Sequence, residues 1–479
     1  MANRFILPCS SVVRCQDRFD LLGSDEDEVH FWDLLTAILT KTIALSLRGT
    51  VTNENHNALR EFMTSYLKDE ARHAQYFTKT WPFLVDLALD MPTLFPDGML
   101  PCLLSVPNNN GAVTATLSRR QVACLVVHQF LCSLPPHPWD TESFIDLRPW
   151  YSQSNTSHPG AVHAYLTALF TYFGHLQQSI EGHKPRIDLP ADEWPITFTV
   201  PSIGSTEVNR LLDNEASRAY LSSTSIEICH LQESHTAPTH LGLPQGACVI
   251  SANKYFGYGL TGTQEELHVG ISPESYPAVL IAPPLSDDQV LICRGAEPMV
   301  SVKGYGRDTK LDQVLPSSNC SLQDFYRWKA RTMLFMDALE MDILGAENNF
   351  LLPDIHPPTR ISRDMISKAY NAFRSDDKPY SHIVTGLWGC GAFGGNKYVK
   401  CLLQWCAASL AQVPVLKFVF SGSEQKGFAE EFDLFVIKVE GKNFTVKQVF
   451  EALAGMKDCG YEVNADGVFD YIVDQLDTK

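Results

Sequence analysis

The hydrophobic pattern changes texture near residue 190. Before that point apolar residues recur at three- and four-residue spacing between proline-rich connectors, the period of helices that bury one face. Phe31, Leu34, Leu35, Ile38, Leu39, Thr42 and Leu45 form one such stripe. Ser24 and the carboxylates of residues 25–28 open it as an N-cap with favourable charge, and Gly49 closes it. A second stripe covers residues 57–80 through Leu59, Phe62, Met63, Tyr66, Leu67 and Tyr76. Ser118-Arg119-Arg120-Gln121 has the capping-box form and predicts a buried helix over residues 122–134. Residues 161–178, rich in Leu, Tyr and Phe, predict a fourth helix.

Beyond Trp194 the apolar runs shorten to strand length, at residues 195–200, 226–231, 248–251, 278–282, 290–293, 383–385 and 416–420. Helical patterns over 322–340, 360–373, 396–411 and 445–456 lie between and after them. Strands alternating with helices predict an α/β fold whose sheet is covered on both faces. The chain thus divides into a helical part, residues 1–190, and an α/β part, residues 191–479.

Composition narrows the picture. With 479 residues, 45% hydrophobic and 19% charged, the chain has the make-up of globular domains, not of a disordered or collagen-like one. A net charge of −17 argues against broad electrostatic binding to DNA or to an anionic membrane. An anion held locally by backbone N–H groups is still compatible with it. The 13 cysteines are odd in number and show no CxxC spacing, which predicts reduced core thiols and a nuclear or cytoplasmic protein. Residues 1–14 lack the design of a cleaved leader, and no run of about 18 apolar residues predicts a membrane helix.

Candidate chemistry concentrates in two glycine-bearing loops. The first, Asn253-Lys254-Tyr255-Phe256-Gly257-Tyr258-Gly259-Leu260-Thr261-Gly262-Thr263-Gln264-Glu265-Glu266, follows the strand expected at 248–251. That places it beyond a strand's carboxyl end, where α/β sheets bind ligands. Its glycines let backbone N–H groups approach a phosphate, and a carboxyl shielded from water beside a diphosphate acquires a raised pKa. By itself such a loop is equally an ordinary turn leading into a solvated acidic helix start. The second, Gly386-Leu387-Trp388-Gly389-Cys390-Gly391-Ala392-Phe393-Gly394-Gly395, lies between a strand and a helix, the order that seats an anion at a helix N-terminus. Trp388 and Phe393 could stack there on a ribose or base, or pack as core. Two such loops suggest a nucleotide diphosphate bridging them.

These two stretches resemble the poly(ADP-ribose) glycohydrolase family. Gly295-Ala296-Glu297, Gly304-Tyr305, Met336-Asp337-Ala338-Leu339 and Lys368-Ala369-Tyr370 extend the likeness, and residues 118–136 and 166–173 are similar to the family's accessory domain. The resemblance implies a macrodomain, a mixed sheet between helices, with an N-terminal all-helical accessory domain. It implies a glycosidase of the DNA damage response that cuts ribose–ribose O-glycosidic bonds and needs neither metal nor cofactor. Its partners would be poly(ADP-ribose) and poly(ADP-ribosyl)ated proteins. By position, Glu266 would be the general acid and base, and Glu265 would hold the ribose and tune its neighbour. Gln264 would hydrogen-bond nearby and Asn253 would position ribose hydroxyls. Gly257, Gly259, Gly391, Gly394 and Gly395 would line the diphosphate, Phe393 the terminal ribose and Phe420 the adenine.

Four features depart from that pattern. Ile250 stands where the family has an aspartate, and Tyr258 replaces the middle of three glycines. Val302 takes the place of an adenosine-contacting tyrosine, and residues 260–263 form a short spacer. All four touch substrate positioning, so a macrodomain that binds ADP-ribose without cutting it is the alternative reading. His230, His235 and His240 recur every five residues, which matches no zinc pattern. No nucleophilic triad is recognisable.

Overall fold

Eight strands form one mixed sheet: β3 (Gly111–Leu117), β4 (Ile196–Ser202), β5 (Ser225–Leu231), β6 (Ala247–Ala252), β7 (Leu291–Arg294), β10 (Thr332–Asp337), β11 (Ile383–Thr385) and β12 (Val415–Ser421). Their order is β3-β4-β7-β10-β6-β11-β12-β5. The first three junctions are antiparallel, and the four from β10 to β5 are parallel. Two small antiparallel pairs stand apart, the long-range pair of β1 (Arg4–Ile6) with β2 (Met99–Pro101) and the hairpin of β8 (Val300–Lys303) with β9 (Lys310–Val314). The computed structural model describes residues 4–10, 31–46, 56–104, 110–135, 137, 145–152, 158–178, 185–188, 194–237, 240–243, 245–315, 327–341, 367–375, 378–456 and 467–477.

Strand parity divides the sheet between two cores. On β10, Met333 and Phe335 join the core shared with the helical part, while Leu334 and Met336 enter the other. On β6, Cys248, Ile250 and Ala252 face the first core and Ala247 and Val249 the second. Because both faces are covered, the central strands are apolar throughout rather than alternating.

The longer helices of the helical part are α1 (Phe31–Ser46), α2 (Asn57–Tyr66), α3 (Trp81–Leu89), α4 (Arg119–Phe130) and α5 (Pro159–His175). Ser118 caps α4 as the sequence predicts. Its hydroxyl accepts from Gln121 N–H at 3.1 Å, and the Gln121 side chain accepts from Ser118 N–H at 3.0 Å. Arg119 is buried and pairs with Glu274, and it also donates to the Gly295 carbonyl at 3.1 Å. The Gly295-Ala296-Glu297 motif is therefore a seam between the two parts. The helical part also lends the sheet its edge strand β3, paired with β4 over seven residues. On the same face as the helical part, beside the site, lies α6 (Gln264–Gly270), and on the far face lie α7 (Lys397–Leu410), α8 (Ser423–Val439), α9 (Val446–Gly455) and α10 (Val468–Asp477).

Several expectations are corrected. The helix expected over 322–340 contains the central strand β10 instead, because Thr332–Asp337 is fully buried between both cores and a short apolar run fits either element. Residues 278–282 were expected as a strand and form the short helix Ala278–Ile281. Helices α8 and α10 were not anticipated. The acidic start at 24–28, Gly49 and residues 360–366 lie outside the described residues. Ten cysteines, among the described residues, are free thiols. No helix among those residues is long and apolar enough to cross a membrane.

Candidate active site

Strand β6 ends at Ala252, and the chain then loops to α6, whose first turn carries Gln264, Glu265 and Glu266. Ladder pairing between β6 and β11 covers only Ala247 and Cys248 on the β6 side, so the two strands part beyond that point. Gln264 fills the gap. Its Oε1 accepts from Ser251 N–H at 2.9 Å and its Nε2 donates to the Val249 carbonyl at 3.4 Å, satisfying backbone groups the missing ladder leaves open.

The opened strands and the second loop enclose a cavity of about 630 Å³. Of the residues given a catalytic or substrate-binding role in the sequence, Asn253, Gly257, Gln264, Glu265, Glu266, Gly391 and Phe393 line it. Glu265 is buried. Its Oε2 accepts from Asn253 N–H at 2.8 Å and its Oε1 from Gly257 N–H at 3.3 Å. Burial pushes its carboxyl up to about 8 against the pull of those two donors, and the charges of Glu266 and Asp337 add to the rise. Asp337 ends β10 opposite Ala252 and is itself paired with the buried Lys368. Asn253 Oδ1 accepts from Tyr255 N–H at 3.0 Å, a turn that shapes the loop.

Glu266 is half-buried and tied to its own loop. Its Oε2 accepts from Thr261 N–H at 2.7 Å, Thr261 Oγ1 at 2.8 Å and Thr263 N–H at 3.2 Å. The last of these is half of a capping box for α6, so this carboxylate also holds the helix start. Gly259 makes the arrangement possible. A Cβ there would sit 1.6 Å from Glu266 Oε1 and 1.8 Å from its Cδ. Its lack of a side chain therefore admits a carboxylate; it does not line the cavity.

Tyr258, which breaks the glycine run, borders the cavity but is itself buried. The ring is buried against Trp150 at 5.5 Å and Tyr276 at 5.2 Å, both edge-on, in the core shared with the helical part. Ile250 is likewise fully buried, and so is Val302. The aromatic ring presented to the cavity from that hairpin is Tyr305, 56% exposed and three residues further on. The sequence quotes Tyr305 in its Gly-Tyr motif but assigns it no contact.

The second loop is built differently. Gly389 and Gly394 take φ of +72° and +64°, and Gly395 N–H closes the turn on the Gly389 carbonyl at 2.9 Å. Gly394 and Gly395 shape this turn and do not line the cavity. Asn396 caps α7, its Oδ1 accepting from Tyr398 N–H at 2.9 Å and Val399 N–H at 3.1 Å. Those two N–H groups are thus already used, and the helix start is not an open anion seat. Trp388 is core, its Nε1 donating to the Met336 carbonyl at 3.2 Å. Phe420 is also core: parity on β12 buries it with Phe418 against Phe428 and Phe432, and Val419 and Ser421 line the cavity in its place.

The three histidines do not converge. His230 Nε2 meets the Gly422 carbonyl at 2.8 Å, whereas His235 and His240 line the cavity with rings 4.9 Å apart. The five-residue spacing, read only for metal, concealed that pocket role. Among the described residues no three metal-ligating side chains gather.

Comparison with known proteins bears on this geometry. A family model described as the macro domain fold of poly(ADP-ribose) glycohydrolase matches residues 220–427, and the helical domain of the same family matches residues 68–187. Poly(ADP-ribose) glycohydrolase 1 of Caenorhabditis elegans is 27% identical over 349 residues, covering 71% of this chain and 40% of its own length. Poly(ADP-ribose) glycohydrolase 2 of the same organism is 30% identical over 190 residues, 38% of each chain. Poly(ADP-ribose) glycohydrolase 1 of Arabidopsis thaliana is 20% identical over 436 residues, 76% of this chain and 75% of its own. The alignments thus span about two fifths of the two nematode relatives.

Proposed function

The chain belongs to the poly(ADP-ribose) glycohydrolase family, and from that premise we propose that it hydrolyses ribose–ribose O-glycosidic bonds in poly(ADP-ribose) and releases ADP-ribose. Residues 1–190 serve in this reading as a helical accessory domain and residues 191–479 as the macrodomain that binds and cuts. The observation that carries the proposal is the pair of adjacent carboxyls at the cavity wall. One is buried and raised to about 8, and the other is half-buried and tied to the glycine loop.

Glu266 is assigned the reacting position. It protonates the leaving ribose oxygen as the C1″–O bond breaks, and the oxocarbenium-like carbon is then attacked by water, whose proton returns to the same carboxylate. Glu265, protonated near neutrality, donates to a ribose hydroxyl and holds the sugar in line. Asn253 sets the ribose edge, Gly257 and Gly391 let the diphosphate approach the backbone, Phe393 packs near the terminal ribose, and Tyr305 offers a face for the base. Poly(ADP-ribosyl)ated proteins are the corresponding macromolecular substrates.

The burial of Glu265 favours a second division of labour, in which Glu265 is the acid and Glu266 only positions. Release of ADP-ribose from poly(ADP-ribosyl)ated protein separates the two, using Glu266→Gln and Glu265→Gln. Glutamine preserves the capping role at residue 266, which alanine would remove along with the acid. Loss of about 100-fold or more in Glu266→Gln, with a smaller loss in Glu265→Gln, supports the first assignment, and the reverse order supports the second. An unmodified chain that binds ADP-ribose yet releases none would replace hydrolysis by a reader function. The motives for that reader are weakened by the inward-facing Tyr258, Ile250 and Val302.

A further inference from the structure

Trp150 comes from the helical part, distant in sequence from the glycine loop, and is 1% exposed. It ends the turn Arg148–Trp150, which is fixed to α4 at several points. Leu147 N–H donates to the Gln129 carbonyl at 3.3 Å, Gln129 Nε2 donates to the Ile145 carbonyl at 3.2 Å, and Tyr151 Oη donates to the Phe130 carbonyl at 2.7 Å. Its indole packs on Tyr165 at 5.2 Å and on Tyr276 at 5.8 Å, and meets Tyr258 edge-on. From this rigid seat Nε1 donates to the Gly259 carbonyl at 3.0 Å. Gly259 in turn lies directly against the Glu266 carboxylate.

We propose that Trp150 is a positioning residue: its indole N–H holds the Gly259 peptide, and through it the Glu266 carboxylate, in the geometry used for hydrolysis. The inference rests on the glycohydrolase reading for its kinetic consequence but not for its structural one. Tyr258 gains a role by the same logic. Its ring is the anchor that sets the loop on the aromatic seat, so the side chain that breaks the glycine run is the one that docks the loop. The helical part then does more than cover the sheet, because it fixes where the reacting carboxylate stands. Misplacement of a catalytic group by a fraction of an ångström to an ångström lowers turnover by up to about 100-fold without weakening ground-state binding.

The test replaces Trp150 by phenylalanine and, in a parallel variant, by the benzothienyl isostere of tryptophan, which keeps the ring shape and lacks the N–H. Amide hydrogen exchange is read over residues 256–263 and, as an internal reference, over β6. Turnover of poly(ADP-ribose) and affinity for ADP-ribose are measured on the same proteins. The expected result is exchange about tenfold faster in the loop with β6 unchanged, kcat lowered by about 10- to 100-fold, and KM and ADP-ribose affinity within about twofold. Unchanged exchange in the loop of the isostere overturns the proposal, whatever the activity. Equal acceleration of loop and strand overturns it too, since Trp150 would then be only a core residue. If the unmodified chain proves inactive, the glycohydrolase reading fails, and the exchange data still decide whether Trp150 holds the loop.

Discussion

The two glycine-bearing loops face one cavity, yet Gly259 in the first and Gly389 and Gly394 in the second serve different physical ends. In the loop after β6, Gly259 has no side chain because a carboxylate occupies the space where a Cβ would lie. In the loop after β11, Gly389 and Gly394 are needed for their positive φ, and the turn closes on its own backbone. The first loop is held from outside, by Trp150 and by the packing of Tyr258, and the second by its own turn and the Asn396 cap. A glycine-rich stretch therefore does not by itself identify a phosphate cradle. What matters is the neighbour each missing side chain makes room for.

Gly259→Ala strikes the first loop where it has no spare room. The new methyl would overlap Glu266 Cγ, Cδ and Oε1, all within 2.1 Å of the Cβ position. Glu266 must leave its bonds to Thr261 and Thr263. We expect ADP-ribose release to fall by about 100-fold or more while the chain stays folded, as circular dichroism and a thermal melt would show. Turnover close to that of the unmodified chain would mean that the Glu266 position is not the reacting one.

The next effect concerns Glu265 and has a defined sign. Its carboxyl titrates near 8 in the folded chain and near 4.3 when unfolded. Between those values the folded state holds a proton that the unfolded state has lost. Raising the pH through this window favours unfolding, by up to about 1.4 kcal/mol per pH unit from this one group, and the loss is complete above about pH 8. Glu265→Gln removes the term. Its thermal midpoint, set against that of the unmodified chain, should improve steadily from pH 5 to pH 8. A difference independent of pH would show that the two N–H donors, from Asn253 and Gly257, keep Glu265 ionised throughout.

How much of this was legible in the sequence depends on what each residue's signal encodes. The Ser118 cap was readable because the Ser-x-x-Gln spacing fixes its own geometry. Both loops were readable as glycine clusters beyond strands. Strand β10 was not, because a strand buried on both faces loses its alternation and resembles a buried helix. Phe420 was misplaced although parity was available: Leu416, Phe418 and Phe420 share one face of β12, and that face is core. Tyr305 was quoted only as part of a motif, since its exposure at the tip of the β8–β9 hairpin beside the cavity is a tertiary fact. Trp150 was not identified at all, since its role depends on a contact spanning 109 residues.

A milder change sharpens the contrast from the other loop. Asn396→Ala removes the acceptor for Tyr398 and Val399 N–H and should destabilise the chain by about 1 kcal/mol, seen in denaturant melts. Because Asn396 caps α7 and makes no bond to either glutamate, kcat should change by less than about twofold. A large fall in kcat would mean that the second loop, too, positions the reacting groups.

The smallest expected effect is that of Gly391→Ala, and it isolates the logic of the comparison. Gly391 lines the same cavity as Glu266, but no atom lies within 4 Å of the place its Cβ would take, and its φ is not positive. Neither collision nor backbone strain opposes the change, so stability should move by no more than about 0.5 kcal/mol. Any consequence must then come from the ligand. If the diphosphate lies against this peptide, the methyl stands between the backbone and the phosphate, and affinity for ADP-ribose falls while the melt is unaltered. Gly259→Ala and Gly391→Ala are the same chemical substitution at one cavity, so a strong fall in turnover for the first and an unchanged fold for the second would separate a glycine that makes room for the protein's own carboxylate from one that leaves room for substrate.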